Sequence, residues 1–250
     1  MKEKEMIFGI RAVIEAAEAG KDIDKVLVKR ELSGELFKEL QEVLRRCEIP
    51  MQKVPLERID RITRKNHQGV IAFTSAVTYQ KLDQIVPFLY EQGKSPLIVL
   101  LDGITDVRNF GAIARTCEVA GVDAIVIPAR GSVSVNADAI KTSAGALHII
   151  PVCRENSLKD AVVFLKNSGI KVVAATEKAA KNYTVADMSV PVAILMGSED
   201  EGVSPEILRV CDELVRVPQV GSIQSLNVSV AAGVMIYEAV RQRAVFTVHY

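Results

Sequence analysis

Leu97-Ile-Val-Leu-Leu101 and Val192-Ala-Ile-Leu-Met196 are apolar at every position, and each is followed at once by small and polar residues, Asp102-Gly103 after the first and Gly197-Ser198-Glu199 after the second. A strand with no polar alternation is buried on both faces, the condition of a parallel sheet covered by helices on either side. Further apolar segments at 124–127, 149–152, 171–174 and 214–217, separated by stretches of helical periodicity, extend the pattern through the rest of the chain. From Pro96 onward the sequence therefore predicts an α/β domain with a mostly parallel sheet. In such sheets ligands bind beyond the carboxyl ends of the strands, so the segments that follow the apolar runs are where chemistry is expected.

Upstream, residues 1–78 are richer in charge and read as a small α/β domain, with helices over 11–19 and 35–47 and strands at 25–28 and 70–74. Residues 79–95, containing an amphipathic stretch at 82–90 and the loop 92–96, read as a linker, and 96–250 as the larger domain.

The 250 residues carry 31 Lys plus Arg against 31 Asp plus Glu, so the whole chain has no electrostatic bias toward nucleic acid or acidic lipid, and any anion-binding surface must be local. One local surplus exists. Arg45, Arg46, Lys53, Arg58, Arg61, Arg64 and Lys65 outnumber Glu48, Glu57 and Asp60, and Asn66-His67-Gln68-Gly69 follows immediately. Such a cluster can hold phosphates, and it also fits a solvated helix face. No apolar run approaches the roughly 18 residues of a membrane helix. The N-terminal sequence lacks the apolar core and cleavage site of a secretory signal, so a cytoplasmic location is expected. The 4 cysteines are far apart without a C-x-x-C pair and the chain has 3 histidines, which speaks for buried thiols and against a metal site.

Three segments carry candidate chemistry. After 97–101 comes a loop and helix with Asn109 and Arg115; an arginine near a helix N-terminus opposes the helix dipole and invites a functional explanation, although pairing with Glu118 or Asp106 accounts for it equally. After 192–196, Gly197 permits close backbone approach and Glu199 stands where a strand opens into the expected crevice; the acidic loop lacks the Lys-Ser/Thr ending of a phosphate-binding loop. After 214–217, Ser225 and Asn227 open the last helix, where either also suits an N-cap. No G-x-G-x-x-G opens a helix, as a dinucleotide-binding domain would require.

Taken in order, Asn109-Phe-Gly-Ala-Ile-Ala-Arg115-Thr116, Gly197-Ser-Glu199-Asp-Glu-Gly202 and Ser225-Leu-Asn227-Val-Ser229 resemble the three motifs of the SpoU/TrmH family, S-adenosylmethionine-dependent RNA ribose 2'-O-methyltransferases of the SPOUT class. The first domain resembles the family's RNA-binding substrate domain through Phe8-Gly9 and Asn66-His67-Gln68-Gly69-Val70. The resemblance implies a sheet with a deep trefoil knot and a homodimer formed through it. It implies catalytic roles for Arg115, Asn109, Glu199, Ser225 and Asn227, and backbone contacts to S-adenosylmethionine near Thr176, Gly197, Val217 and Leu226. RNA would be gripped by Arg58, Arg61, Arg64, Lys65, Asn66 and His67. Because guanidinium groups hold their proton at neutral pH, an arginine in this reaction suits phosphate and alkoxide stabilisation better than proton abstraction. The pairing of domains is similar to bacterial enzymes that methylate a guanosine ribose in 23S ribosomal RNA. A transfer-RNA ribose methyltransferase of the same family and a non-catalytic RNA-binding or ribosome-assembly factor are the alternatives.

Overall fold

A computed structural model describes residues 6–222 and 225–244; the outermost residues assigned above to the two domains, 1–5 and 245–250, lie outside it. The chain divides into two compact units, one made of residues up to 78 together with 134–137, the other of the remainder.

The first unit runs β1 (Met6–Phe8), α1 (Ile10–Glu18), β2 (Ile23–Lys29), α2 (Glu35–Arg46), β3 (Met51–Val54), α3 (Leu56–Asp60) and β4 (Val70–Thr74). Its sheet has the order β1-β4-β2-β3, with β4 antiparallel to both neighbours and β2 parallel to β3. Alternate residues of the central strands point to opposite faces. Val26, Val28, Val70 and Ala72 meet Val13, Ile14, Leu40 and Leu44 of α1 and α2, whereas Leu27, Ile71 and Phe73 meet Ile59 of α3.

The second unit begins with α4 (Leu82–Glu91), which occupies the stretch expected as a linker. Leu82 and Val86 are buried against Ile98 and Leu100, so the amphipathic pattern at 82–90 belongs to this core. There follow β5 (Leu97–Leu101), α5 (Val107–Val119), β6 (Ala124–Pro128), α6 (Ala137–Thr142), β7 (Val152–Glu155), α7 (Leu158–Asn167), β8 (Lys171–Ala175), β9 (Lys181–Asn182), β10 (Val192–Met196), α8 (Pro205–Leu208), β11 (Glu213–Arg216) and α9 (Val228–Arg243). The seven-stranded sheet has the order β7-β6-β5-β10-β8-β11-β9, and every pair is parallel. β5 and β10 lie side by side at its centre, Leu97 opposite Val192 and Leu101 opposite Met196, buried throughout. The expected strand at 149–152 is displaced: Ala146–His148 form a 3-10 turn, Ile149 is 70% exposed, and pairing with β6 starts at Val152. Among the described residues no helix is long and apolar enough to cross a membrane.

Candidate active site

The carboxyl end of β10 turns sharply. A Cβ on Gly197 would lie 2.0 Å from the carbonyl carbon of Gly202, so only glycine lets the two backbones pass. Ser198 and Gly202 exchange backbone hydrogen bonds, N–H to O at 3.2 and 3.0 Å, and Glu201 N donates to Ser198 Oγ at 3.2 Å. Gly202 adopts a φ of 70°, in the left-handed region. The closed loop fixes the direction in which Glu199 leaves the sheet.

Glu199 joins all three motif segments. Its Oε1 accepts from Asn109 Nδ2 at 3.2 Å, from Val228 N at 3.1 Å and from Asn227 Nδ2. Asn227 Nδ2 also reaches Asn109 Oδ1 at 2.9 Å, while its Oδ1 accepts from Ser229 N and caps α9. Asn227 is therefore an N-cap and a member of the cluster at once, and the carboxylate sits at the positive end of α9. Two further clamps hold the neighbouring elements. Asp106 Oδ1 accepts from the N–H groups of Arg108 and Asn109 at 2.8 Å, capping α5, and Asp102 Oδ2 accepts from both N and Oγ of Ser204 at 2.7 Å, tying β5 to the start of α8. Neither clamp is read from the sequence, where Asp102 directly after a strand and Asp106 directly before a helix are the available signals.

Arg115 stands apart from this cluster. Because α5 starts at Val107, Arg115 lies about two turns inside it, beyond the reach of the N-terminal dipole, and the electrostatic oddity expected there does not arise. It is exposed and among the described residues makes no hydrogen bond or ion pair, with Glu118 and Asp106 or otherwise.

Two cavities flank Glu199. A slot of about 100 Å³ is lined by Thr176, Gly197, Val217 and Leu226, the residues expected to hold a cofactor, and by Ser225. Glu177 and Gln219 line it too and went unread in the sequence. A wider cleft of about 650 Å³ opens over the ends of β5, β6, β7 and β10, bounded by Asp102, Asp106, Asn109, Arg130, Lys159, Glu199 and Glu206 among others. Slot and cleft share Ser198, Glu199 and Val228 as a common wall.

In the first unit, Arg58, Arg61, Arg64, Lys65 and Asn66 are exposed on α3 and the turn after it. His67 differs: its ring is 11% exposed, Nδ1 accepts from Gly69 N at 3.0 Å and Nε2 lies 3.0 Å from Asp60 Oδ1. Both ring nitrogens are engaged in building the turn through Gln68 and Gly69, which have φ values of 50° and 78°, so the imidazole shapes the surface that its neighbours present. Lys65 lies over the Phe8 ring, 5.5 Å from its centroid.

Burial pushes Cys153 up to about 12 and Cys211 up to about 11 and raises Cys117 as well, which keeps all three protonated at neutral pH. Among the described residues no group of three or more His, Cys, Asp or Glu side chains is arranged to hold a metal ion.

Residues 96–237 match the model of the SpoU rRNA methylase family, and residues 6–80 match that of the RNA 2'-O ribose methyltransferase substrate-binding domain. The chain belongs to the SpoU rRNA methylase family. A protein of Staphylococcus saprophyticus named as a TrmH family tRNA/rRNA methyltransferase is 35% identical over 96% of this chain and 97% of its own length. Bacillus subtilis YacO, of the same description, is 32% identical over 97% of each chain. Among solved structures, the AdoMet-bound rRNA methyltransferase of Sinorhizobium meliloti superposes with a TM-score of 0.61 at 28% identity, covering 96% of this chain and 87% of that one. AviRb of Streptomyces viridochromogenes, a SpoU methyltransferase in complex with AdoMet, gives 0.59 at 27% identity over 95% and 90%. The SpoU match contains every residue of the Glu199 cluster and of the slot, and the substrate-binding match contains α3 and the turn at His67.

Proposed function

We propose that this protein transfers a methyl group from S-adenosylmethionine to the 2'-oxygen of a ribose in RNA, and that the target is a guanosine of 23S ribosomal RNA. The observation that carries the reading is the convergence of Asn109, Glu199 and Asn227 on the wall shared by the slot and the cleft.

The chemistry of the slot's lining suits the cofactor. Met196, Val217, Leu226 and Ala231 offer apolar surface to an adenine ring, Thr176, Gln219 and Ser225 offer hydrogen bonds, and the carboxylates of Glu177 and Glu199 favour a ligand bearing positive charge. When bound, S-adenosylmethionine supplies an electrophilic methyl group on a sulfonium sulfur.

The chain's own task is alignment and charge stabilisation. Glu199 locks the amides of Asn109 and Asn227, which are then preorganised to orient the ribose at the mouth of the slot. The Arg115 guanidinium holds the target phosphate and stabilises negative charge developing on the 2'-oxygen. Arg115 and Val119 share an exposed stripe of α5, which packs against α9, and Val230 and Tyr237 form the exposed stripe of α9. A second copy covering these stripes forms a homodimer with Arg115 at its interface. Arg58, Arg61, Arg64, Lys65 and Asn66 of the first unit bind RNA phosphates and take no part in the methyl transfer itself. The guanosine assignment draws on the acidic wall of the cleft, since a carboxylate accepts hydrogen bonds from the N1–H and N2–H groups of guanine. An enzyme of this kind works in the cytoplasm.

The test incubates purified protein with methyl-labelled S-adenosylmethionine and, separately, protein-free large-subunit ribosomal RNA and transfer RNA from cells lacking the protein. Label on one ribosomal ribose is expected. Label confined to transfer RNA would keep the chemistry and move the substrate; absence of label from both would overturn the reading. Arg115→Lys is expected to lose nearly all turnover while cofactor binding persists.

A further inference from the structure

We propose that Arg130 and Lys159 hold the RNA backbone at the far side of the wide cleft, so that the strand crosses the ends of β6 and β7 to bring one ribose to Glu199. The inference rests on the reading of this protein as an RNA methyltransferase and adds two positioning residues that neither the motifs nor the slot contain.

The sheet's strand order sets the geometry. The loops that line the cleft follow β7, β6, β5 and β10, which are consecutive neighbours. Adjacent strands are about 4.8 Å apart, so Lys159 after β7 and Glu199 after β10 are rooted about three spacings, roughly 14 Å, from each other, with Arg130 after β6 between them. That separation leaves room for a nucleotide whose ribose meets the Glu199 cluster while a flanking phosphate meets the cations. At about 650 Å³ the cleft has the size of a ligand site rather than of a packing defect.

Charge gives the direction. Near β10 and β5 the wall is acidic, with Asp106, Glu199, Asp200 and Glu206, and would repel a phosphate. Arg130 and Lys159 are the cations lining the cleft. Both are exposed, and among the described residues neither makes an ion pair or hydrogen bond, although lysines elsewhere in this unit do: Lys94 pairs with Asp123 and Lys171 with Glu213. Of the acids lining the cleft, Asp102 is bonded to Ser204 and Asp106 to the start of α5. Two unneutralised cations from separate loops thus converge on one cleft opposite the reaction centre, the pattern that captures a polyanion by counterion release.

The experiment compares full-length wild type, Arg130→Ala/Lys159→Ala, and a control of equal charge change, Lys94→Ala/Lys171→Ala, whose residues lie at the opposite ends of the strands. RNA binding to protein-free large-subunit ribosomal RNA is titrated across salt, cofactor binding is followed by calorimetry, and methyl transfer is measured with the same RNA. The Arg130/Lys159 variant should bind RNA about 10-fold or more weakly near physiological salt. Its slope of log affinity against log salt should fall by about 1.4, two single-strand phosphate contacts of about 0.7 each. KM for RNA should rise more than kcat falls, with cofactor affinity retained. An affinity and slope equal to those of the control, or a loss confined to kcat, overturns the proposal. A reduced slope together with a wild type that transfers no methyl would leave the backbone contact standing and remove the methyltransferase reading instead.

Discussion

At the scale of single residues, the site depends on one carboxylate oxygen. Glu199→Ala would remove the acceptor shared by the side-chain amides of Asn109 and Asn227 and the N–H of buried Val228, leaving Asn227 Nδ2 its bond to Asn109 Oδ1. We expect a loss of about 1–3 kcal/mol in urea unfolding and about 100-fold or more in kcat. Glu199→Gln, which keeps an oxygen acceptor, should recover most of the stability. Equal stability of the wild type and the alanine variant would show that the cluster is not holding its segments together. Gly197→Ala tests the neighbouring backbone. Its Cβ would collide with main-chain atoms of Gly202 and Val203, which cannot rotate away, so the loop must move at a cost of about 1–3 kcal/mol and cofactor affinity should fall with it. Glu199, Asn109 and Asn227 were legible in the sequence because their motifs follow buried strands in order. Asp102 and Ser204 were not, because their partnership joins positions far apart in the chain and leaves no local spacing to read. His67 was legible as a residue of interest, yet its use in shaping a turn depends on Asp60 and Gly69 folding beneath its ring.

At the scale of elements, α9 must present Asn227 at one end and is anchored at the other. Arg243 donates to the carbonyls of Met188, Ser95 and Pro96 at 2.9 Å and to that of Val190, and burial lowers its guanidinium pKa below the ordinary value. Glu238, one turn earlier, accepts from Arg241 and from Gln242, which in turn bonds Ala186 O and Met188 N. The hydrogen bonds from Arg241 hold the Glu238 carboxyl below the usual carboxylate range. A depressed carboxylate contributes stability above its unfolded-state value and loses it as pH falls through the folded one. Urea unfolding of wild type and Glu238→Gln should therefore differ most near neutrality and converge as pH drops below the ordinary carboxylate range; a gap constant from pH 7 to pH 3 would count against the linkage. Central strands such as β5 and β10 were legible because burial on both faces leaves a continuous apolar run. The edge strand β7 was misplaced because its paired half carries Arg154 and Glu155, while the apolar Ile149 and Ile150 belong to the turn before it. β1, β3 and β9 have 3, 4 and 2 residues, too brief for periodicity to show.

At the scale of the whole molecule, net charge is zero, so attraction to RNA must come from patches, and salt dependence should follow them. Removing Arg58, Arg61, Arg64 and Lys65 together should lower the salt slope of RNA binding by about 3 and leave cofactor binding unchanged; an unchanged slope would assign that surface to solvent. The opposite situation holds for α5 and α9. Val119, Val230 and Tyr237 are 66%, 52% and 49% exposed, a density of apolar side chains on neighbouring helices that a monomer gains nothing by showing to water. Stable interfaces bury about 1,200–2,000 Å² in total, with aromatic residues prominent at their centres. Sedimentation of the wild type should give twice the 27.3 kDa chain mass. Val230→Asp/Tyr237→Asp, which places two carboxylates on the face proposed to pair, should halve it and reduce methyl transfer in parallel, because the proposed dimer places Arg115 on that same face. A wild type that sediments as a single chain, or a monomeric variant with full turnover, would separate Arg115 from any interface and require the arginine to act within its own subunit.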